Sequence, residues 1–230
     1  MPDYDDDDLE RTITIPMDGI ALEGTLGIPA SPTGIVLFAH GSGSSRFSPR
    51  NRFVARVFRD AGLATLLLDL LSPAEEVVDE VTRHHRFDIP MLADRLVAAI
   101  DWLKRERETS ELSIGLFGAS TGGGAALVAA AERPAAVGAV VSRGGRPDLA
   151  KESLPLVESP TLLIVGGRDD LVISLNEQAR DHMRAEVHLE IVPGATHLFE
   201  EPGTLEQVAT TARDWFLSHL SQPTRVGRSP

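Results

Sequence analysis

The chain has 230 residues, 42% of them hydrophobic and 24% charged, a composition that suits one soluble domain with a full core. It contains no cysteine, which excludes disulfides, thiolate metal sites and a cysteine nucleophile. A formal net charge of -12 leaves no surplus of cations to displace counterions, so nucleic acid is not expected as a partner.

Residues 1–10, with four consecutive aspartates from Asp5 to Asp8, read as an acidic disordered tail. Residues 11–220 read as a single domain and residues 221–230 as a polar C-terminal tail. The acidic start is the opposite of a signal peptide, and no apolar run approaches membrane-spanning length. A cytoplasmic protein with no membrane partner is therefore expected.

From Arg11 to Pro16 polar and apolar residues alternate, the period of a half-buried strand. Asp18-Gly19 is a hairpin turn signal, and Ile20–Ile28 reads as the antiparallel partner. Ile35–Ala39 is a short continuous apolar run of the kind found in buried parallel strands. Asn51–Ala61 is amphipathic, with Gly62 closing the helix, and Ala64–Leu68 is the next buried strand. A polar excursion over Ser72–Arg86, the one candidate for a small lid, leads to a helix from Ile89 to Arg107. Ser113–Phe117 is a strand and Ser120–Ala131 a helix. Val137–Ser142 and Thr161–Val165 are strands with a short helix between them. Leu175–Met183 reads as a helix, Val187–Val192 as a strand and Leu205–Leu220 as a closing amphipathic helix. This order predicts an α/β fold: a mostly parallel eight-stranded sheet with an antiparallel N-terminal hairpin and helices on both faces. The short connection between Val137–Ser142 and Thr161 leaves no room for a large cap domain.

Gly118-Ala119-Ser120-Thr121-Gly122 lies between a strand and a helix, the context that a G-x-S-x-G nucleophile elbow requires. The turn is too sharp for bulky neighbours two residues either side of the nucleophile, hence the two glycines. The Thr121 N–H, at the start of the helix, is free to stabilise an oxyanion. On such a fold the order is nucleophile, acid, then histidine, each just after a strand. Thr161–Val165 runs into Gly166-Gly167-Arg168-Asp169-Asp170. The Gly-x-x-Asp-x-x-Val spacing selects Asp169, with Asp170 as the alternative. His197, in the loop after Val192, is the expected base. His40-Gly41-Ser42-Gly43 follows the Ile35–Ala39 strand and would supply a second oxyanion donor. That donor is the N–H of Ser42, with Gly43 the alternative; His40 is expected to brace the loop.

Other glycine loops and metals fit less well. Gly41–Arg46 lacks the third glycine of a dinucleotide fingerprint, and Gly118–Ala125 lacks the Gly-Lys-Ser/Thr of a P-loop. His84 and His85 are adjacent and cannot chelate from one helix face, so no metal and no cofactor are expected. Arginines gather on loops at one sheet edge: Arg46, Arg50 and Arg52; Arg83 and Arg86; Arg143 and Arg146. They suggest an anionic substrate, with Arg46 and Arg143 named for its binding; the alternative is surface arginine paired with neighbouring acids.

With His40-Gly41, Gly118–Gly122, Gly166-x-x-Asp169 and His197 in this order, the chain resembles the α/β-hydrolase superfamily, and within it the dienelactone hydrolase-like branch. The stretches Ser142–Leu149 and Pro193–Glu201 resemble bacterial hydrolase domains sometimes fused to phosphoribosyltransferases. The resemblance runs from about Thr12 to Leu220. It implies an acyl-enzyme on Ser120 and a small ester or lactone substrate. Dienelactone hydrolases proper carry cysteine in the elbow, so Ser120 points away from enol lactones and towards general ester chemistry. An acyltransferase or perhydrolase with the same triad, and a non-catalytic scaffold, are the alternatives. An exposed edge strand leaves room for a homodimer.

Overall fold

The computed structural model describes residues 10–17 and 19–220. The expected tails lie outside these residues, with one exception. Glu10 is the first residue of strand β1 and pairs with Gly27. The turn expected at Asp18-Gly19 is described only at Gly19, whose φ of 80° is natural to glycine.

Eight strands form one sheet. They are β1 (Glu10–Met17), β2 (Ile20–Gly27), β3 (Gly34–Ala39), β4 (Leu63–Leu68), β5 (Ile114–Ala119), β6 (Val137–Arg143), β7 (Thr161–Gly166) and β8 (Val187–Val192). Their order across the sheet is β1-β2-β4-β3-β5-β6-β7-β8. The hairpin is antiparallel, β2 joins β4 antiparallel, and every later pairing is parallel. Among the described residues five α-helices lie between strands, α1 (Pro49–Asp60), α2 (Pro73–Thr82), α3 (Ile89–Leu103), α4 (Thr121–Glu132) and α5 (Asp170–His182), and α6 (Thr204–Leu220) follows β8.

The central strands are buried on both faces, which is why they read as unbroken apolar runs. Alternate residues of β3 serve opposite cores. Val36 and Phe38 join Phe58 of α1 and Phe216 of α6, while Ile35 and Leu37 join Leu96 and Ile100 of α3 and Ala126 of α4. The first of these cores is aromatic, with Phe38 and Phe117 ring centroids 5.0 Å apart and those of Phe58 and Phe216 5.5 Å apart. Burying each such ring contributes about 1.5–3 kcal/mol.

The polar excursion over Ser72–Arg86 is not loose: most of it is helix α2. Ser72 accepts the Glu75 N–H and Glu75 returns a bond to the Ser72 N–H, a capping box with Pro73 at the first helical position. Two further boundaries differ from expectation. Helix α3 stops at Leu103, where the buried Thr109 hydroxyl donates to the Leu103 carbonyl. Helix α5 starts at Asp170, five residues before the expected Leu175, immediately after the loop holding Asp169.

Between β6 and β7 lies a short connection with a 3₁₀ helix over Pro147–Leu156 and no cap domain. The chain leaves β3 towards β4 and later returns to β3's other side as β5. That reversal opens a crevice at the C-terminal ends of β3 and β5, where ligands bind in sheets of this kind.

Candidate active site

Ser120 stands at this crevice, between the end of β5 and the first residue of α4. Its φ of 51° and ψ of -122° are a conformation that L-residues adopt only under strain. The surroundings enforce it. The Ser120 N–H donates to the Arg143 carbonyl (3.2 Å), and the Ser120 carbonyl accepts from Gly123 and Arg146 (each 3.0 Å). A Cβ on Gly118 would stand 2.5 Å from the Gly122 carbonyl oxygen. One on Gly122 would stand 2.2 Å from that of Ala39. Both contacts are with backbone, so no larger residue fits at either flank of the elbow.

His197 lies in the loop after β8, and its Nδ1 stands 2.7 Å from Asp169 Oδ2. An acceptor carboxylate on Nδ1 keeps the ring proton there and leaves Nε2 with its lone pair. Of the two candidate aspartates, Asp169 makes this contact; Asp170 begins α5, where an acidic residue suits the helix dipole. The loops are built to meet. A Cβ on Gly166 would stand 2.6 Å from the carbonyl oxygens of Ala195 and Thr196, and Arg168 N–H donates to the Ala195 carbonyl (2.9 Å). A Cβ on Gly144, whose φ is 51°, would stand 3.2 Å from the His197 carbonyl oxygen and 3.5 Å from its ring.

Ser120 and His197 share a cavity of about 270 Å³ with Gly41, Ser42, Arg50 and Arg143. A second cavity, of about 390 Å³, adjoins it through Gly41, Ser42 and Ser44 and extends to Leu71, Glu76 and Arg86. The loop between β3 and α1 thus separates the two.

The expected oxyanion donors lie next to each other. The Ser42 N–H donates to the Thr121 hydroxyl at 3.0 Å, so in this state it is already engaged. The Thr121 N–H, at the first position of α4, has no carbonyl of its own helix to bond. His40 braces the loop. Its Nδ1 bonds the Gly41 carbonyl at 2.9 Å and its Nε2 accepts from Leu70 N–H at 3.0 Å. Burial lowers its pKa, the Gly41 bond and Asp69 opposing weakly, so the ring stays neutral.

The two arginines expected to bind substrate separate. Arg46 is not available: its guanidinium pairs with Asp69 and, at 2.7 Å, with Glu23, and it lies outside the Ser120 cavity. Arg143 lies in the cavity wall, 8% exposed, with Nε and Nη1 enclosed and unpartnered. Arg50, one of the clustered loop arginines but not singled out for binding, lies in the same wall. Its place just inside α1, immediately before the buried Asn51, was the available signal.

An open α/β sheet carrying a serine elbow and an Asp–His pair at its C-terminal edge defines the α/β-hydrolase class. The chain belongs to the dienelactone hydrolase family, whose model matches residues 22–221. It is similar to the dienelactone hydrolase of Anabaena variabilis, at 60% identity and a TM-score of 0.91 over 92% of this chain and 98% of that one. It is also 58% identical to a Mycobacterium tuberculosis protein whose name proposes a phosphoribosyl transferase, over 89% of this chain. The match spans 45% of that protein, so the chain covers about half the length of this relative. Est1E from Butyrivibrio proteoclasticus shares the fold, with a TM-score of 0.76 at 17% identity over 92% of this chain and 99% of that one. Among the described residues no helix is long and apolar enough to cross a membrane.

Proposed function

We propose that the protein is a serine hydrolase cleaving carboxylic esters or lactones of small substrates through an acyl-enzyme on Ser120. The observation that carries this reading is the Asp169–His197 contact in the cavity that holds the strained Ser120. The Ser120 hydroxyl makes no hydrogen bond among the described residues, and the serine–imidazole contact forms as substrate fills the cavity. His197 Nε2 then takes the hydroxyl proton as Ser120 attacks the carbonyl carbon. Asp169 stabilises the imidazolium. The tetrahedral oxyanion lies at the α4 N-terminus, held by the Thr121 N–H and by the Ser42 N–H once it turns from the Thr121 hydroxyl. His197 returns the proton to the leaving alcohol, a water enters, and the same steps in reverse order release the acid. If an alcohol or peroxide replaces that water, the same machinery performs acyl transfer or perhydrolysis.

Turnover of short p-nitrophenyl esters by wild type and Ser120→Ala tests the reading. Hydrolysis that disappears with the serine supports it. Equal rates in the two proteins would sink it.

A further inference from the structure

The sheet ends in two strands, β1 and β8, and among the described residues no strand pairs with the outer side of either. An outer edge is a row of free N–H and C=O groups, which folded proteins normally guard. β1 carries Pro16, which has no N–H to offer. β8 has no such device. Val187-His188-Leu189-Glu190-Ile191-Val192 contains neither proline nor lysine, and its pairing with β7 runs from Val187 to Val192 without a bulge. The inner bonds fix which groups face out. The Glu186 carbonyl accepts from Thr161 N–H at 2.9 Å and the Val192 carbonyl from Gly167 N–H at 2.8 Å, so even-numbered residues turn their backbone towards β7. Val187, Leu189 and Ile191 therefore present N–H and C=O outwards. Side chains alternate as well. His188 lies against Trp215 of α6, ring centroids 5.2 Å apart, and Glu190 accepts from Gln207 of α6 at 3.4 Å. Both share the α6 face; Val187, Leu189 and Ile191 share the opposite face, each only partly buried.

We propose that β8 is a homodimer interface, where two copies of the chain join their β8 strands antiparallel across a two-fold axis at Leu189. The strand is complementary to itself in that register. Leu189 meets the partner's Leu189, and Val187 meets the partner's Ile191, as hydrogen-bonded pairs that use the outward backbone groups. His188 falls opposite the partner's Glu190, and Glu190 opposite the partner's His188. These are non-hydrogen-bonded pairs, whose Cα atoms stand about 4.5 Å apart and whose side chains approach closest. An imidazole N–H beside a carboxylate is favourable there, and two-fold symmetry makes the contact twice. Other registers lose this match. An axis at His188 sets Glu190 against the partner's Glu186, and one at Glu190 sets two Glu190 carboxylates against each other. An axis at Val187 runs into the bend at Ala185, and one at Ile191 brings in Pro193, both outside the strand.

Sedimentation velocity of the full chain reads the association, and at about 100 μM protein a dimer should be present. Glu190→Lys and His188→Glu should each weaken it by about tenfold or more, because each removes the opposite pair on both sides of the axis. The double variant His188→Glu/Glu190→Lys, which restores opposite charges in reversed order, should recover most of the loss. Melting temperatures of the variants separate a lost interface from a lost fold, and His188, exposed on the strand, is the safer of the two sites. The register has its own test. The chain has no cysteine, so Leu189→Cys introduces one thiol, which the axis brings to within about 5.5 Å, Cα to Cα, of its counterpart. Oxidation should convert Leu189→Cys to a covalent dimer and leave Thr14→Cys, exposed on β1, as monomer. A monomer at about 100 μM, a dimer indifferent to both charge changes, or preferential crosslinking through Thr14→Cys would overturn the assignment. Each readout is a mass, so the interface is tested independently of the hydrolase reading.

Discussion

The crevice and the shoulder beside it use charge and backbone in opposite ways. Around α2 the buried charges Asp79 and Arg95 are both partnered. Ser72 and Glu75 cap the helix, Glu75 holds Arg95 at 2.5 Å, and Asp79 holds Arg86. At the crevice Ser120 has a disfavoured backbone, and Arg143 is a buried cation with no anion among the described residues. Satisfied groups stabilise the fold. Strained and unsatisfied ones spend stability, and they sit where a ligand would be bound. The contrast gives a way to sort residues of one type: Arg46 and Arg143 look alike in the sequence and differ only in what meets them.

If that division is right, the two regions respond differently to substitution. The largest effect belongs to the crevice: Ser120→Ala should lower ester turnover by about 10⁴-fold or more with little change in melting temperature. Asp169→Asn should cost about 10³- to 10⁴-fold in kcat, measured with the same esters, because it puts the ring proton on the wrong nitrogen. The shoulder should respond in stability instead. Desolvation pushes the Glu75 carboxyl up, but the Arg95 and Ser72 hydrogen bonds outweigh it and bring its pKa to about 2. Glu75→Gln should therefore destabilise by about 1–3 kcal/mol at pH 7 in urea titrations, with turnover within about twofold of wild type. The sign is that of a depressed acid. The Glu75 contribution is fully present above its unfolded value of about 4.5 and disappears as pH falls through about 2, so the two urea curves should converge across that window. The smallest effect tests the strain itself. Ser120→Gly should be more stable than Ser120→Ala by about 1 kcal/mol, since glycine accepts the elbow's φ of 51°. The reverse order would mean that the elbow stores no strain.

Much of this was readable in the residues, for identifiable reasons. The apolar runs of β3 to β7 announce a two-sided core, and the steric demand of the elbow is met by Gly118 and Gly122 within five residues. The family assignment follows from such local features in order along the chain. Helix α2 was missed although Ser72-Pro73-Ala74-Glu75 spells its capping box, because the polar residues after it masked the signal. Helix α5 starts early because Val172 is buried and packing overrides the poor helix propensity of its β-branched first turn. Arg46 could not be told from Arg143 because its acids, Asp69 and Glu23, are brought to it only by the pairing of β2 with β4. No pattern along the chain carries that information.

The central claim is that Ser120 is an activated nucleophile. Reaction with a fluorophosphonate, followed by intact mass and peptide mapping, tests it most directly. The account predicts one adduct per chain, on the peptide containing Ser120, absent in Ser120→Ala and slowed about 10³-fold or more in His197→Ala. An unlabelled wild-type protein, or an adduct on another residue, would contradict it.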